Sequence, residues 1–103
     1  MTWNKIKLND DAYLPEMGFG SWQSGSGQSV LNQIQQAFNL GFIHFDTAQI
    51  YNNEKEVGQV LSKLDRNKYW LTTKWSGKNG KGIQQSIQES LSTLNLTYVD
   101  LYL

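Results

Sequence analysis

The chain of 103 residues contains no cysteine, which excludes a disulfide framework and thiolate ligation of a metal. It has no excess of either charge, with nine Lys and Arg against nine Asp and Glu. Nor does it have a basic cluster of the kind that nucleic acids or membrane surfaces attract, so neither partner is expected. It also lacks a hydrophobic run long enough to cross a bilayer. The opening residues 1–8 alternate polar and apolar side chains, where a secretory leader would carry a sustained apolar core. A cytoplasmic protein of one modest domain is the expectation.

Two glycine-rich stretches also lack what would make them phosphate loops. Gly18-Phe19-Gly20 has Gln23 where a dinucleotide fingerprint needs its third glycine. Residues 77–82 hold a Gly-Lys pair without the following Ser or Thr or the glycine spacing of a P-loop. Both read as surface turns.

The informative stretch is 41–58, GFIHFDTAQIYNNEKEVG. A short apolar run, 42–45, enters from a glycine and ends at Asp46, which is a strand signal. Tyr51 follows on a polar loop. Asn52 and Asn53 are good N-cap residues, Glu54 and Glu56 suit the positive end of a helix, and Val57, Val60, Leu61 and Leu64 recur at helical spacing. A carboxylate and a phenol on one strand-to-helix loop are what an α/β barrel presents at its catalytic face.

The flanking chain repeats this alternation. Ile6 and Leu8 alternate with Lys5 and Lys7, and residues 9–12 supply turn chemistry before Tyr13 and Leu14, so a β-hairpin is predicted. A short strand over 17–20 has glycines that permit close approach, and a polar loop spans 23–27. Val30, Leu31, Ile34, Ala37 and Phe38 mark a helix over 28–40, stopped by Gly41. Residues 69–73 are rich in strand formers and end at Lys74. After a glycine- and lysine-rich loop, Ile83, Ile87, Leu91 and Leu94 mark a third helix with Asn95 as a left-handed stop, and 98–103 is again strand-like. A hairpin followed by β-α-β-α-β-α-β builds a parallel sheet with right-handed crossovers.

Asp46, Tyr51 and Lys74 follow two consecutive strands. Parallel neighbours lie about 4.8 Å apart, so groups at their carboxyl ends can share one pocket. A lysine ammonium beside a tyrosine favours the phenolate, which makes the phenol a proton donor to a developing alkoxide, and a carboxylate would hold the lysine in place. The chemistry implied is carbonyl reduction. Each residue alone also has an ordinary structural reading: Asp46 capping the loop, Tyr51 a packed surface aromatic, Lys74 a solvated strand end.

Residues 41–54, Leu71-Thr-Thr-Lys74, Tyr98-Val-Asp-Leu-Tyr-Leu103, the opening hairpin and Gly18-Phe-Gly-Ser-Trp22 together resemble the aldo-keto reductases along the whole chain. The resemblance implies the N-terminal half of a (β/α)8 TIM-type barrel, not closed within this chain. It would form a single partial domain over 1–103, with a hairpin over 1–16 and four barrel strands and three helices over 17–103. It implies reduction of small aldehydes or ketones with NADP(H) and no metal. Tyr51 resembles the family's proton donor, Lys74 its charged partner and Asp46 the carboxylate that pairs with the lysine. Gly20, Ser21, Trp22 and Asp46 match cofactor-side positions near the nicotinamide, and Trp22 and Tyr51 match substrate-side positions.

The same resemblance implies a fourth catalytic residue, a histidine shortly after Leu103, and cofactor contacts from later strands. The chain by itself is therefore expected to lack activity, and a non-catalytic half-barrel that serves folding or assembly is the alternative. His44, inside the second strand, is instead expected to be a core histidine with a satisfied hydrogen bond. Asp11 and Asn52 stand where the family more often has glycine, and both residue types accept left-handed backbone better than most. Open sheet edges at 17–19 and 98–103, with an uncovered inner face carrying Phe42, predict self-association.

Overall fold

The computed structural model describes residues 3–22, 24–78 and 80–103. Met1 of the leader reading, Gln23 and the tip of the 77–82 loop at Asn79 lie outside the described residues. The chain opens with the expected antiparallel hairpin of β1 (Lys5–Lys7) and β2 (Tyr13–Pro15), in the register Lys5 to Pro15 and Lys7 to Tyr13. Its turn closes through Leu8 N donating to the Ala12 carbonyl at 2.8 Å, with Asp11 in the left-handed region at φ 67°.

Four parallel strands follow in sequence order: β3 (Phe19–Gly20), β4 (His44–Asp46), β5 (Trp70–Thr73) and β6 (Leu101–Tyr102). Helices α1 (Gln28–Asn39), α2 (Glu54–Leu61) and α3 (Ile83–Leu94) make the crossovers. This is the α/β half-barrel expected from the alternation, with shorter strands than the apolar runs suggested. Residues 41–43 turn out of α1, because Gly41 takes φ 101° and Phe42 N still donates to the Ala37 carbonyl, so β4 begins only at His44. Helix α2 likewise stops at Leu61, and Leu64 sits in the turn that follows.

Register sorts the strand residues onto two faces. Phe45 pairs with Leu71, and both are buried against the helices with Val30, Ile34, Ala37, Val57, Leu61 and Leu94. His44 and Asp46 pair with Trp70 and Thr72, so the next same-side position is Lys74 and all five share the other face. That face is more occupied than the sequence suggested. The Trp70 indole donates to Thr72 Oγ1 at 3.0 Å, and His44 Nε2 lies 3.1 Å from the same hydroxyl. His44 is half-buried and satisfied, with Nδ1 3.4 Å from the Pro15 carbonyl.

Phe42, expected to stand uncovered, packs against Phe19 and under Trp3, with ring centroids 6.0 and 5.6 Å away. The Trp3 indole donates to the Gly41 carbonyl at 3.1 Å. The hairpin segment thus closes the end of the sheet where the strands begin and leaves their carboxyl ends open.

Helix α3 corrects the expected stripe. Its fully buried line is Ser86, Ser90 and Leu94, while Ile83 is exposed and Ile87 and Leu91 are half-buried. Helix α2 runs close to the end of this line, and the Ser90 hydroxyl donates to Glu54 of α2 at 2.9 Å. A Cβ on Gly58 of α2 would stand 2.3 Å from the Leu94 carbonyl oxygen and 2.5 Å from its Cα. Asn95 ends α3 in the left-handed conformation, as predicted.

Candidate active site

The site lies at the carboxyl ends of β3, β4 and β5. Asp46 is the last residue of β4, and Tyr51 ends a single 3₁₀ turn, Gln49–Tyr51. Asn52 reverses the chain with φ 58°, a conformation that asparagine tolerates and most residues resist. Lys74 is the residue after β5. Its backbone carbonyl accepts from Gln49 N at 3.3 Å, which fastens the tyrosine turn to the neighbouring strand.

The Lys74 ammonium uses all three of its donors: on Asp46 Oδ1, on the Thr47 carbonyl at 3.1 Å and on the Tyr51 hydroxyl at 3.1 Å. Sequence reasoning named Asp46, Tyr51 and Lys74, and the fold brings these three together. Burial alone would lower the Lys74 pKa; its hydrogen bonds to Asp46 and Tyr51, with the Coulombic attraction to both, outweigh burial and move it upward. The lysine is therefore held as a cation against the phenol oxygen. A fixed ammonium donating to a phenol can stabilise the phenolate that remains once the proton has been given away.

The loop after β3 forms the adjoining wall. Gly20 pairs with Asp46, and no atom lies within 4 Å of where its Cβ would be, leaving open space at the strand end. Ser21 is buried. Its amide and hydroxyl reach the Asp46 carbonyl at 3.0 and 3.3 Å, so its side chain holds the loop and is turned away from the open side. Trp22 stands 65% exposed beside a recess of about 440 Å³ lined by Trp22, Gly25, Ser26, Ile50, Tyr51 and Asn52. Among the described residues no group of three or more His, Asp or Glu could hold a metal ion, and no helix is long and apolar enough to cross a membrane.

Two residues of the site region escaped the sequence reading. Asn53 occupies the N-cap position of α2 but makes no side-chain cap; its amide crosses to the β3 loop. Nothing in the pattern distinguished that from ordinary capping. Glu54, read as a partner for the helix dipole, is 5% exposed and accepts from Thr73 Oγ1 at 2.5 Å and Ser90 Oγ at 2.9 Å. Burial raises its pKa, and the two hydroxyls partly oppose the rise. Here a signal existed, because Glu54 shares its helix face with Val57 and Leu61.

Known proteins resemble this chain in sequence and fold. Residues 16–103 match the aldo/keto reductase family. Methylglyoxal reductase DkgA of Escherichia coli K12 is 38% identical over 100 residues, and aldehyde reductase YPR1 of Saccharomyces cerevisiae is also 38% identical over 100 residues. Each comparison covers 95% of this chain but only 36% and 32% of the relative, so the chain spans about a third of the length of these curated relatives. Among solved structures, an aldo/keto reductase from Brucella melitensis superposes with a TM-score of 0.87 at 37% identity, over 100% of this chain and 40% of that one. A Bombyx mori aldo-keto reductase in complex with NADP gives 0.86 at 30% identity, over 99% and 38%. With the family match over residues 16–103 and these likenesses of sequence and fold in agreement, the chain belongs to the aldo/keto reductase family.

Proposed function

We propose that this chain supplies the proton-donating half of an NADP(H)-dependent reductase acting on small aldehydes or ketones. The observation that carries the reading is the Lys74 ammonium, bonded at once to Asp46 and to the Tyr51 hydroxyl. Tyr51 gives its proton to the oxygen of a carbonyl that is being reduced. Lys74 stabilises the phenolate left behind, and Asp46 orients and holds the lysine.

The residues at the open strand end fit the nicotinamide end of the cofactor: Gly20 leaves space there, Trp22 stands beside it, and Ser21 and Asp46 fix the backbone between them. NADP(H), when bound, supplies the hydride for the carbonyl carbon. The loop after β5, at this end of the sheet, offers scattered lysines such as Lys78 for the phosphates of a dinucleotide, whose binding needs clustered amides or paired cations. Activity is accordingly proposed for the complete barrel in which this half is joined to the remaining strands.

The test is Tyr51→Phe in such a complete barrel, assayed by NADPH oxidation with methylglyoxal, the compound in the name of the Escherichia coli relative. Carbonyl reduction should fall by more than about 100-fold while NADPH binding persists. Turnover at the parent rate would reassign the proton donor.

The open edges of the sheet support a second reading, a non-catalytic half-barrel serving folding or assembly. The edge strands β3 and β6 offer unpaired backbone, and Leu103 and Trp75 beyond β6 and β5 are 62% and 38% exposed. Edges of this kind favour pairing with a second copy, so self-association of the chain is part of this proposal.

A further inference from the structure

We infer that Asn53 is a positioning residue that sets the width of the gap between Trp22 and Tyr51, and through it the size of carbonyl compound that the site accepts. The inference rests on the function proposed above. It starts from an oddity of local structure. Asparagine at an N-cap ordinarily turns its side chain back onto the first amides of its own helix. Asn53 makes no such bond.

Its Nδ2 instead donates to the Ser21 carbonyl at 2.8 Å and reaches the Gly25 carbonyl at 3.4 Å, while its Oδ1 lies 3.4 Å from Ser21 Oγ. Both Asn53 and Ser21 are 1% exposed, so water cannot replace these bonds. The amide therefore grips the loop on either side of Trp22, at Ser21 and at Gly25. In sequence Asn53 follows directly on the turn that carries Tyr51 and Asn52.

The consequence is geometric. Trp22 makes one wall of the recess and Ile50, Tyr51 and Asn52 make the other. Strand β4 anchors the near end of the Trp22 loop through Ser21 and the Asp46 carbonyl, while toward its far end Gln33 Nε2 of α1 donates to the Ser24 carbonyl at 3.3 Å. Asn53 fastens that far end to the tyrosine turn. Two walls joined by one buried amide move together, so a bulky substrate that fills the recess meets a fixed width. A two- or three-carbon carbonyl compound, too small to touch both walls, would not sense it.

Two readouts test this. The four tryptophans can be replaced by 5-fluorotryptophan and the ¹⁹F resonance of Trp22 assigned with Trp22→Phe. In Asn53→Ala the Trp22 signal should shift and broaden while those of Trp3 and Trp70, at the opposite end of the sheet and within it, stay in place. An unchanged Trp22 signal in a folded variant overturns the inference. Should Asn53→Ala fail to fold, the parent protein answers: the Asn53 side-chain amide protons should exchange slowly and show close contacts to the Ser21 and Trp22 backbone, and exchange at the rate of a free amide overturns it.

In the complete barrel, Asn53→Ala should raise KM for a bulky aromatic aldehyde about tenfold, with kcat within about threefold and KM for a three-carbon aldehyde unchanged. An equal loss for both aldehydes would mean a purely structural role and also overturns the inference. If Tyr51→Phe retains full turnover in parallel, the proposed function fails instead, and the ¹⁹F result still stands as a reading of Asn53.

Discussion

Replacing Gly58 by alanine should destabilise the chain, against the usual rule for a helix interior. Taken alone, Gly→Ala within a helix gains about 1 kcal/mol from propensity. Here the added methyl would meet the Leu94 carbonyl oxygen, Cα and carbonyl carbon at 2.3, 2.5 and 2.6 Å. These distances fall short of ordinary contact by about 1 Å, and the obstacle is backbone, which no rotamer change can clear. Helix α2 must then lift from the end of α3, opening the packing around Val57, Leu61 and Leu94, each at most 1% exposed. Overpacking of this kind costs about 1–3 kcal/mol, and a rigid obstacle puts Gly58→Ala at or beyond the top of that range.

With the propensity gain subtracted, a net loss of about 2 kcal/mol remains, a large share of the roughly 5–15 kcal/mol that stabilises a small domain. Urea denaturation followed by circular dichroism should show the midpoint lowered by roughly 1 M, given slopes of about 1–3 kcal/mol/M. Gly82→Ala is the control: nothing lies within 4 Å of its Cβ position and its φ is −73°, so its loss should stay within the roughly 1 kcal/mol of an N-cap exchange. A Gly58→Ala chain as stable as the parent would refute the close approach of α2 to α3.

Glu54→Gln should gain stability relative to the parent as pH rises. Burial raises the Glu54 pKa above the unfolded value of 4.5, so the stability contributed by the neutral carboxyl is full below that value and lost as pH climbs through the folded pKa. Urea midpoints of parent and variant should diverge, in favour of Gln, as pH rises above 4.5, and a gap that does not change with pH would contradict the assignment. Self-association can be read by light scattering combined with hydrogen exchange. The apparent mass should grow with concentration, and a concentration-independent monomer with strongly protected Leu101 and Tyr102 amides would count against it.

Most of the element order was legible because the crossovers obey simple periods. Val30, Ile34 and Ala37 in α1, and Val57 and Leu61 in α2, lie where helical spacing puts a buried face. The trio was legible for a topological reason: neighbouring parallel strands carry their loops at the same end, so Asp46 and Lys74 had to converge once β4 and β5 were adjacent. Side-chain partnerships set by helix-to-helix distance were not legible. The glycine at position 58 is small because the Leu94 backbone nearly touches it, and no local period announces a contact between residues so far apart in sequence. The turn of the Asn53 amide away from its own helix was hidden for the same reason, since its partners at Ser21 and Gly25 lie a whole crossover away.

The parallel strands follow one another across the sheet in the order in which they occur in the chain, β3, β4, β5, β6, and α1 packs on α2 and α2 on α3. Each new element thus finds its partner already made. On a ribosome adding about 5–20 residues per second, such a chain can assemble from its beginning without waiting for distant segments, and each loop to be closed is only one crossover long. The lysine-centred trio needs only β4, β5 and the loops that follow them, and no residue of α3 or β6. The trio would then be laid down early in the assembly of the chain, on a scaffold to which α3 and β6 need only add.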